Sequence, residues 1–523
     1  MDSRRSGASF TEGGRRLALV GIDVGTSSVK TMIVRANGER IDLAQRACAV
    51  LRPHTGWAEQ NPETLWKVVR DSLLELQSRN PDVFHTIEGI SLSGQMHGLV
   101  ALDAQQRPIR NAILWCDQRA GGEAASIYES VGVKRFHQIA ANDLSSGFLL
   151  TSLMWMRRNE PEAYSRTRWV LPIKDFIRLR LCGTIGIDYS DASATLAYDA
   201  DSHEWSLPLI EAAGLDAGLF PLVHASAAYA GAAIGGDSLD FLREVPVFYG
   251  AGDSVAQQVG NGIVRPGTAW IANVGTASSL NCVVDADVRD PDYRLSVVDH
   301  VEMDRRMLLG ASLSGGSAIA WSARQMLGLD SSAQLSELAS SAPPGSNGVM
   351  FLPNLSGART PRNDPTARAC FIGLTSETTS SDIARATIEG VIFQMATVAS
   401  IFGEMGIETD QIVSSGGGSR SPLLLQLQAD ILGYPTKVAV EHEQACFGAA
   451  IIAAVGGGTY PEFETACTEM VHFRAESWEP DARTVALYRD WHEIFDTLDE
   501  ATQRVSQRIN SLVNRATGIP ERV

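Results

Sequence analysis

The sequence predicts an α/β protein built from two domains, on three observations. The chain has 523 residues, more than one hydrophobic core usually serves. Apolar strand-like runs alternate with segments of helical period along most of it. A short turn also recurs in the same setting. Val24-Gly25-Thr26-Ser27-Ser28 and Val274-Gly275-Thr276-Ala277-Ser278-Ser279 lie 250 residues apart, each between two strand-like runs. The match could be two ordinary hairpin turns, or it could mark a duplicated domain whose halves face each other.

In chain order, residues 17–35 read as two strands around the turn in GIDVGTSSVK, and ERIDLAQRACAVL adds a third to make a meander. NPETLWKVVRDSLLELQ then reads as a helix, with Asn61 as N-cap and Pro62 in its first position. IEGISLSGQMHGLVALD is a strand, a turn and a strand. Helices mix with short strands up to VPVFYGAGDSVAQQVGNGIV, and the domain boundary falls near residues 260–265. The pattern restarts at GTAWIANVGTASSLNCVV. IVSSGGGSRSPLLLQLQADILGYPTKV is a strand, a glycine triplet, a helix and a strand. EHEQACFGAAIIAAVGGG is a helix rich in small residues, and the end of the chain is helical by period.

Composition narrows the classes of function. Lys and Arg number 44 against 61 Asp and Glu, a formal net charge of −17, which argues against nucleic acid or an anionic membrane as partner. A phosphorylated ligand held by local backbone donors stays open. Seven scattered cysteines with no C-x-x-C fit a reducing, cytoplasmic setting. Residues 1–16 lack the apolar core of a signal peptide and read as a disordered tail. No uninterrupted apolar stretch of about 18 residues predicts a membrane span. No G-x-G-x-x-G, G-x-S-x-G or H-E-x-x-H occurs, so dehydrogenase, serine hydrolase and zincin readings lose their usual support.

Four stretches could carry chemistry. In GIDVGTSSVK the Walker ending is missing and Asp23 would repel a phosphate. Asp23 either folds into an Asx-turn or meets a hard cation lying between itself and a phosphate. In YGAGDSVAQQVG, Asp253 follows a strand and opens a helix. It could cap that helix, or stand free at the carboxyl end of a strand and accept the proton of an attacking hydroxyl. In SLSGQMHGLV, Gln95, Met96 and His97 occupy a turn that could line a sugar pocket, although a lone His is more often structural. No second His or Cys stands at a zinc spacing. In SSGGGSRSPLLLQLQAD, glycines and a helix start could admit a base or a phosphate.

Together these stretches resemble the FGGY carbohydrate kinases, of the sugar kinase–actin–Hsp70 superfamily, from about residue 17 to 500. GIDVGTSSVK and NVGTASSL resemble the family's two phosphate motifs, and SSGGGSRSPLLLQLQADILG its adenosine motif. Within the family, GWAEQNPETLW, SGQMHGLVALD, AILWCDQR, LPIKDFIRLRL, DYSDASAT and FLPNLSGARTPRNDPTARACFIGL are most similar to segments of xylulokinases. The resemblance implies two actin-like (ribonuclease H-like) domains facing each other across a catalytic cleft. Residues 17–262 would form the sugar side, 263–500 the nucleotide side and 501–523 a C-terminal helix and tail.

The resemblance further implies ATP and Mg²⁺, with transfer of the γ-phosphoryl group to the 5-hydroxyl of D-xylulose. Asp253 would be the general base, with Gln95, Met96, His97 and Ser254 on the sugar. Asp23 would lie at the metal and Thr26, Ser27, Ser28 and Thr276 at the phosphates, while Gly316, Gly417 and Gly418 would line the nucleotide site. A homodimer is compatible with it, although no interface stripe stands out. Three positions depart from the family pattern: Ser254 in place of a frequent Asn, Ser152 in place of a Lys, and Ala358 in place of a Glu. They leave a kinase for another ketose or a polyol such as ribulose or ribitol as the alternative, with a non-catalytic actin-like sugar sensor behind it.

Overall fold

A computed structural model describes residues 17–517, so the tail expected over residues 1–16 and the last six residues lie outside the described residues. The first domain opens with the expected meander. Strands β1 (Ala18–Val24), β2 (Ser28–Arg35) and β3 (Arg40–Ala47) run antiparallel in sequence. Every residue of β1 is buried, as expected for a strand covered on both faces. Helix α1 (Pro62–Arg79) begins as the sequence indicates, with the Asn61 side chain accepting the Thr64 N–H. Strand β4 (Ile87–Gly94) then lies parallel to β1. Further along come helices α2 (Ile173–Cys182) and α3 (Tyr189–Ser193), strands β5 (Tyr229–Ala232), β6 (Pro246–Phe248) and β7 (Ala251–Gly252), and helix α4 (Asp253–Gly260). The sheet order is β5-β6-β4-β1-β2-β3, with β7 also on β4.

The second domain repeats the scheme. Strands β8 (Trp270–Val274), β9 (Ser278–Asp285), β10 (Ser296–Asp299) and β11 (Arg305–Ser312) form antiparallel pairs. After α5 (Gly316–Trp321) and α6 (Ser380–Glu404), β12 (Ile412–Ser415) lies parallel to β8. Helix α7 (Pro422–Leu432) leads to β13 (Thr436–Val438), which extends the sheet in the order β10-β11-β9-β8-β12-β13. In both sheets a hairpin is followed by a strand parallel to its first member. The repeated turn occupies the same topological position twice, which supports duplication over coincidence.

Two helices of the C-terminal part bear on how the domains are joined. Helix α8 (Gln444–Gly456), assigned by sequence to the nucleotide side, packs on the first domain's sheet and on α4. The contact is backbone-close. A Cβ on Gly21 would stand 2.0 Å from the Cys446 carbonyl oxygen, and one on Gly448 1.9 Å from that of Ala256. Helix α9 (Ala482–Thr517) runs unbroken through residue 500, so no boundary falls there. Among the described residues α6 alone is long and apolar enough to cross a membrane, and it is mostly buried within the second domain's core.

Candidate active site

The carboxyl ends of β1, β7 and β8, the start of α8 and the turn after β12 surround an open cleft of about 330 Å³. Asp23, Lys30, Asp253, Ser254 and Gln257 line it from the first domain. Asn273, Gly416, Gly417 and Arg420 line it from the second, and residues 442–446 close one end. Residues more than 200 positions apart meet here because β1 and β8 are equivalent strands of two facing sheets.

Asp253 is the first residue of α4, and its side chain does not cap the helix. Among the described residues its carboxylate is engaged only by the neighbouring Ser254, whose hydroxyl donates at 3.3 Å. The cap alternative therefore drops out. Burial, then the negative charge of Asp23, pushes the Asp253 carboxyl up to about 7. Asp23, next to last in the buried strand β1, accepts the Ser93 hydroxyl at 3.1 Å, a partner across the sheet and not in its own turn. Burial raises its pKa, opposed by Lys30 and by the Ser93 hydrogen bond and reinforced by Glu443. Two carboxyls desolvated on one cleft wall suit an oxygen-seeking divalent cation, which would relieve their repulsion.

Lys30 and Glu443 complete this wall and were not singled out from sequence. Lys30 is the hairpin partner of Asp23. Its ammonium pairs with Glu443 at 2.5 Å, and that bond outweighs burial to hold its pKa high. Counting residues across the short hairpin turn would have found Lys30. Nothing local marks Glu443, Asn273 or Arg420.

The other residues expected at the sugar and the phosphates are not among those lining this cleft. Thr26 donates to the Gln95 side chain at 3.0 Å and accepts from the Trp115 indole at 3.0 Å, while the Gln95 amide donates to Gln60 at 2.9 Å. Gln95 also donates its backbone N–H to Val24, locking turn and loop together. Ser27 and Thr276 are exposed and Ser28 partly so, at the tips of the two turns. Met96 is buried against Gly252, where a Cβ would come within 2.7 Å of it. His97 takes a left-handed backbone conformation (φ 71°), bonds the Ala194 carbonyl at 2.7 Å and stacks on Phe148. Burial lowers its pKa to about 4, so the ring is neutral.

The three glycines expected at the nucleotide differ from one another. Gly417 lines the cleft, and a Cβ there would meet only the Val274 carbonyl oxygen, at an ordinary 3.9 Å. Gly418 packs on Val274, 2.7 Å from a would-be Cβ, and Gly316 on the Gly275 carbonyl at 2.4 Å, so both support the second turn. Gly416, absent from the expected set, takes φ +75° and lines the cleft. At the start of α7 the Ser421 side chain accepts the Leu424 N–H.

Residues 18–260 match the N-terminal domain, and 270–457 the C-terminal domain, of the FGGY family of carbohydrate kinases. The chain belongs to this family and is a sugar kinase by fold and by descent. It is 30% identical to the xylulose kinase of Staphylococcus epidermidis over 498 residues, covering 95% of this chain and 99% of that one. It is 31% identical to that of Bacillus subtilis over 497 residues, covering 94% and 99%. The crystal structure of a xylulose kinase from Brucella ovis matches with a TM-score of 0.87 at 33% identity, covering 93% of this chain and all of the other.

Proposed function

We propose that the protein transfers the γ-phosphoryl group of ATP to a ketose hydroxyl, the 5-hydroxyl of D-xylulose. The observation that carries this reading is Asp253, a carboxylate unclaimed by its helix and raised to about 7, across the cleft from Gly416 and Gly417. Its location supports a role as the base that orients the sugar hydroxyl and takes its proton as the P–O bond forms. The second-domain turn and the Gly416–Gly417 backbone, free of side chains, leave room for the polyphosphate. Closure of the two domains would exclude water and bring hydroxyl and phosphorus into line, which supplies most of the rate when the transition state is loose. Asp23 would hold a Mg²⁺ ion, which neutralises charge on the transferring phosphates when bound.

The xylulokinase relatives favour D-xylulose. Of the three sequence departures, Ser152 is wholly buried with its hydroxyl unpartnered among the described residues, and Ala358 is also buried. Only Ser254 lines the cleft. That single position keeps another ketose or a polyol as the second reading.

An assay coupling ADP release to a sugar panel tests both. The expected result is ADP formation that depends on D-xylulose, lost about a thousandfold in Asp253→Ala with sugar binding retained. Near-normal turnover in Asp253→Ala would overturn the base assignment. A strong preference for another sugar would replace D-xylulose.

A further inference from the structure

Helix α3 has no part in the chemistry above, yet it contacts the turn that carries Asp253 and an edge strand of the second domain. Its N-terminus is held by a charged cluster with no solvent exposure. The Lys174 ammonium donates to Asp188 at 2.7 Å and to Asp175 at 3.0 Å, lies 3.3 Å from Asp191, and reaches the Tyr249 carbonyl at 3.4 Å. Asp188, fixed in this way, accepts the Ser190 backbone N–H at 2.9 Å and its hydroxyl at 2.5 Å. With its proton committed to Asp188, the Ser190 oxygen accepts the Gly252 N–H at 2.8 Å. Gly252 immediately precedes Asp253. Lys174 and Ser190 thus grip the 249–252 turn at both ends, and the turn carries the base.

The far end of α3 faces the other domain. The Ser193 hydroxyl accepts the backbone N–H of Asp299 at 2.9 Å, at the end of β10. Asp299 is itself anchored by Arg306 at 3.2 Å and His203 at 2.9 Å. The next residue, Ala194, offers the carbonyl that holds His97. One buried helical turn therefore joins the base, the sugar-side histidine and an edge strand of the second domain.

We propose that α3 couples the position of the second domain to the placement of Asp253, with Ser190 and Ser193 as positioning residues. The proposal rests on the kinase reading and on Asp253 as base. A carboxylate displaced by a fraction of an ångström from in-line geometry loses rate without losing substrate affinity.

The test uses the full chain with ATP and the preferred sugar. Ser190→Ala is expected to lower kcat about tenfold or more, with both KM values within twofold. Ser193→Ala is expected to lower kcat severalfold, and Ser193→Thr, which keeps the hydroxyl, to restore it. Because both hydroxyls act along one chain of contacts, the double variant is expected to lose little more than Ser190→Ala alone. In crystals of Ser190→Ala the Asp253 carboxylate is expected to shift, which needs no activity to observe. If neither serine variant changes kcat by more than twofold, or the losses add, or Asp253 stays in place, the coupling is wrong. If the wild type forms no ADP with any sugar, the kinase reading falls, and the crystal comparison alone decides whether α3 places Asp253.

Discussion

At the scale of single residues, Asp253 carries a conflict between stability and chemistry. Its ordinary carboxyl would ionise near pH 4, but burial and Asp23 raise it to about 7. In the role proposed for it, as the base, Asp253 must be ionised, so kcat/KM for the sugar is expected to fall as pH drops through about 7, read from a pH–rate profile. The effect on stability has the opposite sense. The folded state holds this proton more tightly than the unfolded state, so ionisation costs stability as pH rises from about 4 to about 7, and the full cost persists above. Asp253→Asn is therefore expected to raise Tm at pH 8.5, leave it unchanged near pH 4, and abolish turnover. A Tm gain of equal size at both pH values would contradict this account. The residue type and its place after a strand were legible from sequence. The choice between cap and free carboxylate was not, because both begin a helix with Asp and differ only in where the side chain points.

Among elements, α8 shows the gap between a local pattern and its docking. Its small residues announced a helix that packs closely, but not against what. The partner is α4, and Gly448 and Gly260 are the points of closest approach: a Cβ at either would stand 1.9 Å from a backbone oxygen. Gly448→Ala should force the helices apart. A cost of about 1–3 kcal/mol is expected for such overpacking, seen as a lower Tm. Because α4 begins with Asp253, kcat is expected to fall as well. A substitution at Gly403, where nothing lies within 4 Å, is the control and should leave both unchanged. The glycines at 416–418 make the same point. Their composition indicated a site for a flat or charged ligand, while only tertiary contacts separate Gly417, which faces the cleft, from Gly418, which packs on Val274.

Across the whole molecule, the two domains are pinned away from the cleft as well as facing each other over it. The Asn142 side chain donates to the Val297 carbonyl at 2.6 Å and accepts its N–H at 3.0 Å, pairing with edge strand β10 as a further strand would. Ala141 and Ala200 of the first domain are buried in the second domain's core. Asn142→Ala would strand two backbone groups of Val297, at about 1–3 kcal/mol each. It is expected to lower Tm and to speed limited proteolysis of the 138–203 segment. Unchanged proteolysis would show that this contact does not hold the domains.

The sequence by itself determined the α/β class, the recurring strand–turn–strand pattern and the acid- and glycine-bearing turns, since strand alternation, helical period and turn residues act over a few positions. Only the tertiary structure decided that Asp23 and Lys30 share a wall with Glu443, that Asp253 is free of its helix, and that α8 packs against the first domain's sheet. Those outcomes depend on which distant surfaces pack and on how burial shifts charge, and neither is encoded within any short stretch of chain.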